Sequence, residues 1–214
     1  MDSFSRSVVN GWGTSDSGHV WTDAGYEAGA IDVNGTRGTF NIVSVGNSCG
    51  AVTDMATKHL TGMLKWTYSD VPTGNLNRII VSVRADSILP PSSFITFVVE
   101  NNNGGEIRLF SNFGPDVAFS IGGYVHPEQW YLKFEIIGDA GRMKVWDVAE
   151  SEPSNWQYIA GGIPIGPDAH THVMISGSRF STNIVEMTID DLDLIPVTHF
   201  YGSPLAHAGR GAAG

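Results

Sequence analysis

Paired carboxylates are the first residues in this chain that could support catalysis. A glycosidase places two carboxyl groups ~5–10 Å apart across a sugar cleft. When one strand supplies both groups, a pattern such as E-x-D-x-x-E sets alternate carboxylates on one strand face. The nearest match is the stretch Glu186-Met187-Thr188-Ile189-Asp190-Asp191, whose spacing differs. We interpret these side chains as acidic residues on a solvated strand face, and the chain is predicted not to be an enzyme.

Metal-binding and nucleophilic residues give little further indication of chemistry. His170 and His172 would point two rings to one strand face, but a zinc site needs three or four ligands and the sequence marks no third. Cys49 is the sole cysteine, so no internal disulfide can form, and no basic partner marks it as a nucleophile. The sequence has no Walker loop, dinucleotide fingerprint or nucleophile elbow.

Aromatic and arginine side chains could bind a sugar. Sugar rings stack their apolar faces on exposed aromatics, while their hydroxyls take hydrogen bonds from fixed polar groups. Trp146 shares its strand parity with Arg142 and Lys144, which predicts that its ring is exposed. Packing in the core is the competing role for each aromatic taken alone. The candidate glycan contacts are Trp146, Trp156, Tyr124, Arg84 and Arg108.

Two long strands around a turn are predicted to position several of these residues. Apolar and polar side chains alternate along 130–137 and again along 142–146. A period of two is typical of a strand with one buried face. The four residues Gly138-Asp139-Ala140-Gly141 between them are predicted to form a hairpin turn.

The rest of the chain repeats this β-pattern. Its 214 residues include 26 glycines and 10 prolines, which punctuate many short apolar runs. About twelve to fourteen strand candidates and almost no helical pattern predict an all-β protein. We expect one two-sheet antiparallel jelly-roll sandwich over residues 1–198, followed by a flexible C-terminal arm or linker at 199–214.

Charge and hydropathy argue against two classes of partner, nucleic acids and membranes. The formal net charge is −10, and the 12 basic residues are scattered singly, so nucleic acid is an improbable partner. No apolar run reaches the ~18 residues that a membrane span needs. The start at Met1 lacks a basic and an apolar region, which predicts synthesis in a cytoplasm without a secretory signal.

Two groups of motif residues carry a family resemblance. The first group is Asp2, Phe4, Arg6, Gly11, Trp12, Gly13, Thr14, Asp16, Ser17, Gly18 and Trp21. The second group is Trp130, Lys133, Gly138, Lys144, Trp146, Glu152, Pro153 and Trp156. Together they resemble the concanavalin-like (lectin and glucanase type) β-sandwich modules of tailed-bacteriophage virion proteins, such as minor tail proteins and tail fibres.

That resemblance implies a function in attachment or assembly. It implies a structural virion protein, in the tail tip, a fibre or another appendage, present in symmetric copies beside other virion proteins. Binding of a host cell-surface polysaccharide is the further role that we expect. A capsid decoration protein with the same fold is one alternative, and a free carbohydrate-binding module or glycosidase is another.

The resemblance also implies a calcium site. Related sandwiches hold a structural Ca²⁺ where the first and last strands meet, which would bring Asp2 near Asp190 or Asp191. Ca²⁺ takes ~6–8 oxygen ligands, many of which can be backbone carbonyls. Solvated or capping carboxylates are the alternative interpretation of these three residues.

Overall fold

A computed structural model describes residues 1–26, 31–87, 94–101, 106–114, 117–120 and 128–197. Within these ranges the chain forms sixteen β-strands and no helix. The strands are β1 (Ser7–Val8), β2 (Gly13–Thr14), β3 (Val20–Asp23), β4 (Ile31–Asn34), β5 (Gly38–Phe40), β6 (Ser48–Asp54), β7 (Leu60–Tyr68), β8 (Asn77–Ala85), β9 (Ile95–Asn101), β10 (Glu106–Ser111), β11 (Val117–Ser120), β12 (Trp130–Ile137), β13 (Ala140–Asp147), β14 (Tyr158–Ala160), β15 (His172–Arg179) and β16 (Met187–Pro196).

The strands form two eight-stranded sheets. The first sheet has the order β1-β4-β5-β16-β7-β12-β13-β14, and the second has the order β11-β10-β9-β8-β15-β6-β3-β2. Neighbouring strands are antiparallel throughout both sheets. The predicted two-sheet antiparallel sandwich is confirmed, whereas the predicted arm at 199–214 lies outside the described residues. No helix in the described ranges is long and apolar enough to cross a membrane.

The predicted hairpin is formed by β12 and β13, with a tighter turn than the sequence indicates. Ile137 pairs with Ala140, so Gly138 and Asp139 alone make the connection, and Gly138 has a positive φ of 58°. Gly141 belongs to the strand instead of the turn. A Cβ there would come within 2.7 Å of Phe97, so glycine is needed for close packing of the two sheets.

A cluster of aromatic rings fixes the N-terminal segment to the sandwich. The Trp12 ring centroid lies 5.2 Å from that of Phe4, 5.3 Å from that of Trp21 and 5.1 Å from that of Phe40. All four side chains are buried. Burial of each large apolar side chain stabilises the fold by about 1.5–3 kcal/mol. The turn-rich segment before β3 therefore contributes to the core.

Each sheet has one face in the core and one outer face. Along β7, Leu64 and Trp66 are buried in the core, while Thr61, Met63 and Lys65 alternate with them on the outer face. The outward cross-strand pairs of β12 and β13 are Tyr131–Trp146, Lys133–Lys144 and Glu135–Arg142. The second motif group therefore contributes several side chains to the outer face of the first sheet.

Candidate functional site

Two lysines hold the loop after β13 against the outer face of the first sheet. The Lys133 Nζ lies 2.8 Å from Glu152 Oε1, and the Lys144 Nζ lies 2.7 Å from the same oxygen. Lys144 also donates a hydrogen bond to the Pro153 carbonyl at 2.6 Å. Since Lys144 is buried, its charge requires such partners. These bonds bind the loop to both strands of the hairpin, and they lower the pKa of the Glu152 carboxyl group.

Trp156 lies over β13 at the end of this loop. The Arg142 guanidinium carbon is 4.6 Å from the indole centroid, and the Lys144 Nζ is 5.0 Å from it. Contacts of this kind are worth about 0.5–2 kcal/mol. The Val145 amide donates to Gln157 Oε1 at 2.7 Å, which fixes the backbone beside the ring. The indole is thus held in place while it stays partly exposed.

A groove with a volume of about 390 Å³ lies beside this ring, on the outer face of the first sheet. Its apolar lining comes from Met63, Trp156 and Ile195, and its polar lining from Thr61, Lys133, Glu135 and Asp193. We call it the Trp156 groove. Ligand sites of proteins usually measure about 300–1,000 Å³ and combine an apolar surface with a few fixed polar groups. The Trp156 groove has both properties.

The charged residues of the groove are held by partners rather than left free. Glu135 Oε1 lies 2.5 Å from a nitrogen of Arg142, and Lys133 is paired with Glu152 as described above. Paired charges keep their side chains in one orientation, and they offer hydrogen bonds without a strong net charge. The groove is therefore suited to a neutral ligand with many hydroxyl groups.

Trp146 occupies the predicted face but is not exposed. It lies opposite Tyr131 on the outer face, with ring centroids 5.3 Å apart at an angle of 35°. The indole is only 7% exposed. The strand parity of Trp146 correctly predicted that its side chain points to the outer face. It did not predict how exposed the ring is, because neighbouring side chains can still cover an outward side chain. Trp146 is therefore not placed to stack on a sugar.

Arg84 is buried and bonds to the protein backbone, so it is not available to a ligand. It is 3% exposed, and its guanidinium donates to the carbonyls of Lys58 at 3.1 Å and Pro164 at 2.9 Å, and to that of Gly138. Burial lowers its pKa to about 10. Three loops are joined by this side chain, so the interpretation of Arg84 as a glycan contact is replaced by a stabilising role.

Arg108 lies on the outer face of the second sheet, whereas the Trp156 groove lies on the outer face of the first sheet. Its guanidinium is 3.3 Å from Glu106 and 4.0 Å from Glu100, and the side chain is 43% exposed. It is accessible but is not among the residues that line the Trp156 groove. Tyr124 lies outside the described residues. Of the five predicted glycan contacts, the groove thus contains Trp156.

The predicted calcium ligands meet cations of the protein. The backbone of Asp2 bridges to β16, so the first and last segments do adjoin. The Asp2 carboxylate, however, receives two hydrogen bonds from Arg6 at 2.7 and 2.9 Å. Asp190 and Asp191 lie 3.1 and 2.8 Å from the Nζ of Lys65. A set so neutralised does not fit Ca²⁺. No cluster of three or more His, Cys, Asp or Glu side chains suited to a metal occurs in the described ranges.

Several residues that line the Trp156 groove were not among the candidates predicted from the sequence. Met63 comes from β7, Glu135 from β12, and Asp193 and Ile195 from β16. They meet because β7 pairs with β12 on one side and with β16 on the other. Outward parity on each strand was readable from the sequence. The pairing of strands more than 100 residues apart was not.

Similar proteins are found by structure and not by sequence. No protein-family model matches the chain, and no curated protein matches it in sequence. Among solved structures, a β-glucanase from Bacillus licheniformis is similar with a TM-score of 0.59 and 8% identity, over 87% of this chain and 95% of that one. The exoplasmic/lumenal domain of VIP36 in its Ca²⁺/Man-bound form gives a TM-score of 0.56 and 7% identity, over 85% and 84% of the two chains.

A legume lectin-like domain from Entamoeba histolytica is similar to the same extent. Its TM-score is 0.56 and its identity 11%, over 83% of this chain and 90% of that one. Identities this low show the fold alone. The protein has the concanavalin-like β-sandwich fold of lectins and glucanases, as the sequence resemblance implied.

Proposed function

We propose that the protein is a carbohydrate-binding module that holds a glycan in the Trp156 groove. The observation that carries this proposal is a partly exposed indole fixed beside polar groups in a groove of about 390 Å³. A sugar face can stack on the indole while its hydroxyls reach Thr61, Lys133 and Glu135. The Man-bound form of VIP36, which has a similar fold, supports carbohydrate as the ligand class.

Binding without cleavage is the activity that we assign. Glycoside hydrolysis needs a second carboxyl group that gives up a proton to the leaving group. The groove has two acidic residues, and both are engaged in ion pairs: Glu135 with Arg142, and Asp193 with the N-terminal ammonium group of Met1. The similar β-glucanase makes hydrolysis the competing function. A reducing-sugar assay on β-glucan and on bacterial wall polysaccharide decides between them, and steady turnover would overturn binding alone.

The virion of a tailed phage is the setting that we propose for this module. Its support is the two motif groups, whose members contact one another in the folded chain: Asp2 with Arg6, Phe4 with Trp12, and Lys133 and Lys144 with Glu152. In a tail tip or fibre, symmetric copies of the module would present several weak glycan sites together, which raises the avidity for the cell surface. A capsid decoration protein would use the same avidity. Antibodies against the protein should label the tail or the capsid of purified particles, and unlabelled particles would contradict this setting.

Substitution of Trp156 tests the glycan site. A glycan array, followed by calorimetry with Man3GlcNAc and with β-glucan oligosaccharides, measures binding. Trp156→Ala should weaken binding about five- to tenfold, because a stacked ring contributes about 1–1.4 kcal/mol. Trp156→Phe should retain part of the affinity. Phe113→Ala removes another partly exposed aromatic residue, remote in sequence from the groove, and serves as the matched control.

Calcium is a separate arm of the same experiment. The VIP36 domain is Ca²⁺-bound, whereas the three candidate carboxylates in this chain are paired with Arg6 and Lys65. We therefore propose that glycan affinity is the same in EDTA as in millimolar Ca²⁺. Wild-type protein that binds no glycan in either buffer would overturn the proposed function.

A further inference from the structure

A second pocket lies on the same outer face as the Trp156 groove. It has a volume of about 120 Å³ and is lined by Arg37, Thr67, Ser69, Gln129, Glu186 and Thr188. We call it the Thr188 pocket. Thr67 on β7 pairs directly with Thr188 on β16, so the floor of the pocket is an outward cross-strand pair. Arg37 stands just before β5, which pairs with β16 on its other side.

The hydroxyl group of Thr188 is the feature that points to a ligand. Thr188 is 4% exposed, and its Oγ1 has no hydrogen-bond partner within the described residues. A buried polar atom without a partner costs about 1–3 kcal/mol. The hydroxyl borders a pocket that is large enough for a ligand group. A ligand hydroxyl that entered the pocket could both donate to and accept from Thr188.

Charge selects the kind of ligand. Arg37 brings a guanidinium and Glu186 a carboxylate to the lining of the same small pocket. An anion would be repelled by Glu186, and a cation would be repelled by Arg37. A neutral diol satisfies both, because one hydroxyl accepts from the guanidinium and the other donates to the carboxylate. A sugar unit presents neighbouring hydroxyls of this kind.

The two sites are aligned along the same pair of strands. On β7, Thr61 and Met63 line the groove and Thr67 lines the pocket, with Lys65 between them. On β16, the order is matched: Asp193 lines the groove, and Thr188 lines the pocket. From Met63 to Thr67 the distance is about 14 Å, at ~3.4 Å per strand residue. A single sugar unit cannot span that length, whereas a chain of several units can.

The surface between the two sites is compatible with such a chain. Pairing of β16 with β7 is irregular between Asp190 and Asp193, and Asp191 there has a positive φ of 48°. Such an irregularity re-aims side chains, and here both Asp190 and Asp191 reach Lys65. Although burial alone would lower the pKa of Lys65, its hydrogen bonds to Asp191 and Asp190 raise it. Two of the three residues predicted as calcium ligands, Asp190 and Asp191, thus form a charge-paired polar surface between the groove and the pocket.

We infer that the Thr188 pocket is a second sugar subsite, so that the outer face of the first sheet binds an extended, neutral polysaccharide chain. This inference rests on the proposed function, because the Trp156 groove supplies the stacking contact. The Thr188 pocket supplies hydrogen bonds to the hydroxyls of a sugar unit further along the chain. Affinity should therefore grow with the length of the oligosaccharide until both sites are filled.

Calorimetry with two oligosaccharide series, β-glucan and mannan, from disaccharide to hexasaccharide, tests the subsite. For wild-type protein we expect the hexasaccharide to bind about tenfold more tightly than the disaccharide, as two or three hydrogen bonds allow. Thr188→Val, which keeps the shape of the side chain, should remove most of that gain and leave disaccharide affinity unchanged. Arg37→Gln, at a partly exposed residue, should do the same if Thr188→Val does not fold.

Thr53→Val is the matched control, because Thr53 is equally buried but belongs to the second sheet. It should retain the full gain with chain length. Equal affinity of wild-type protein for disaccharide and hexasaccharide would overturn the second subsite and leave the groove intact. Absence of binding in both series would overturn the proposed function itself. A full gain in both Thr188→Val and Arg37→Gln would exclude the Thr188 pocket as its cause.

Discussion

The outer faces of the two sheets differ in what they leave accessible. On the first sheet, outward residues such as Lys133 and Glu135 form ion pairs around an open groove. On the second sheet, outward residues at the centre, Ser82, Ser176 and Met174, are buried. Strand alternation is the same in both sheets. A polar or apolar outward position therefore does not reveal by itself whether a face is open to a ligand.

The second sheet also carries contacts that resemble those of a ligand site but are satisfied internally. The Arg78 guanidinium lies 5.5 Å from the ring centroid of Phe110 and 5.2 Å from that of Phe180. It also binds Glu100 at 2.8 Å. Aromatic rings and an arginine are thus combined on both faces. The accessible indole beside a groove distinguishes the first face as the candidate site.

The largest expected difference between the faces comes from matched methionine substitutions. Met174 on the second sheet is 2% exposed and forms a small cluster with Ala24 and Val52, apart from the main core. Met174→Ala should lower the free energy of unfolding by about 2–5 kcal/mol, the usual range for a buried methionine. Met63→Ala, at an outward and partly exposed position of the first sheet, should lower it by less than about 1 kcal/mol. Urea unfolding measures both values.

Equal losses for the two variants would contradict the contrast between the faces. A small loss for Met174→Ala would mean that the outer face of the second sheet is open in solution. In that case the second sheet would become a candidate surface for ligand binding, beside Arg108. The matched pair therefore tests the choice of site as well as the packing.

Removal of the charge of Lys144 should have the next largest effect. Lys144 holds Glu152, the Pro153 carbonyl and the Trp156 ring at once. Lys144→Met keeps the buried stem but loses these contacts, so we expect a loss of about 1–2 kcal/mol and faster amide exchange in residues 148–157. Hydrogen-exchange mass spectrometry follows that segment.

Lys133→Met is the control for this prediction. Lys133 contacts the same carboxylate but is partly exposed, so its removal should affect the exchange of the loop less. If Lys133→Met loosened the loop as much as Lys144→Met, the buried lysine would not be its principal anchor. The position of Trp156 would then depend on other contacts, such as that with Arg142.

Sequence periodicity predicted the strands well because it reports local geometry. The burial of Trp130 and Phe134 and the outward position of Lys133 all follow from a period of two. The exposure of Trp146 did not follow, because it depends on how tightly Tyr131 and other neighbours cover the ring. Gly141 was assigned to a turn for a similar reason. Its true constraint is Phe97 on the opposite sheet, which the local sequence does not contain.

Long-range pairing determined most of what sequence could not predict about the site. The sequence alone shows no partner for Asp190 and Asp191. In the structure, the irregular pairing of β16 with β7 brings both carboxylates to Lys65. In the sequence Thr188 is one residue of an acidic strand, whereas its proposed role depends on a pocket built from four chain segments. Trp156 remains a predicted glycan contact, and the sequence could mark it because the prediction depends on its residue type rather than on its partners.

The smallest expected effect is a dependence of stability on pH that belongs to the first face. Hydrogen bonds from Lys133 and Lys144 lower the pKa of Glu152 in the folded protein. A lowered carboxyl pKa stabilises the fold above the unfolded value of ~4.3, and that stabilisation is lost as pH falls through the folded value. Because Glu152 is 42% exposed, solvent screening limits the effect to about a few tenths of a kcal/mol.

Glu152→Gln should therefore be less stable than wild type at pH 7, and the difference should disappear as the pH falls below ~4. Urea unfolding of both proteins across this range measures it. Glu150→Gln, at an exposed carboxylate of the same loop that has no ion pair within the described residues, is the control and should be as stable as wild type at pH 7. A constant difference between Glu152→Gln and wild type down to pH 3 would mean that the amide changes packing rather than charge. Lys144 would then hold the loop through the Pro153 carbonyl and the Trp156 ring, and not through the carboxylate that it shares with Lys133.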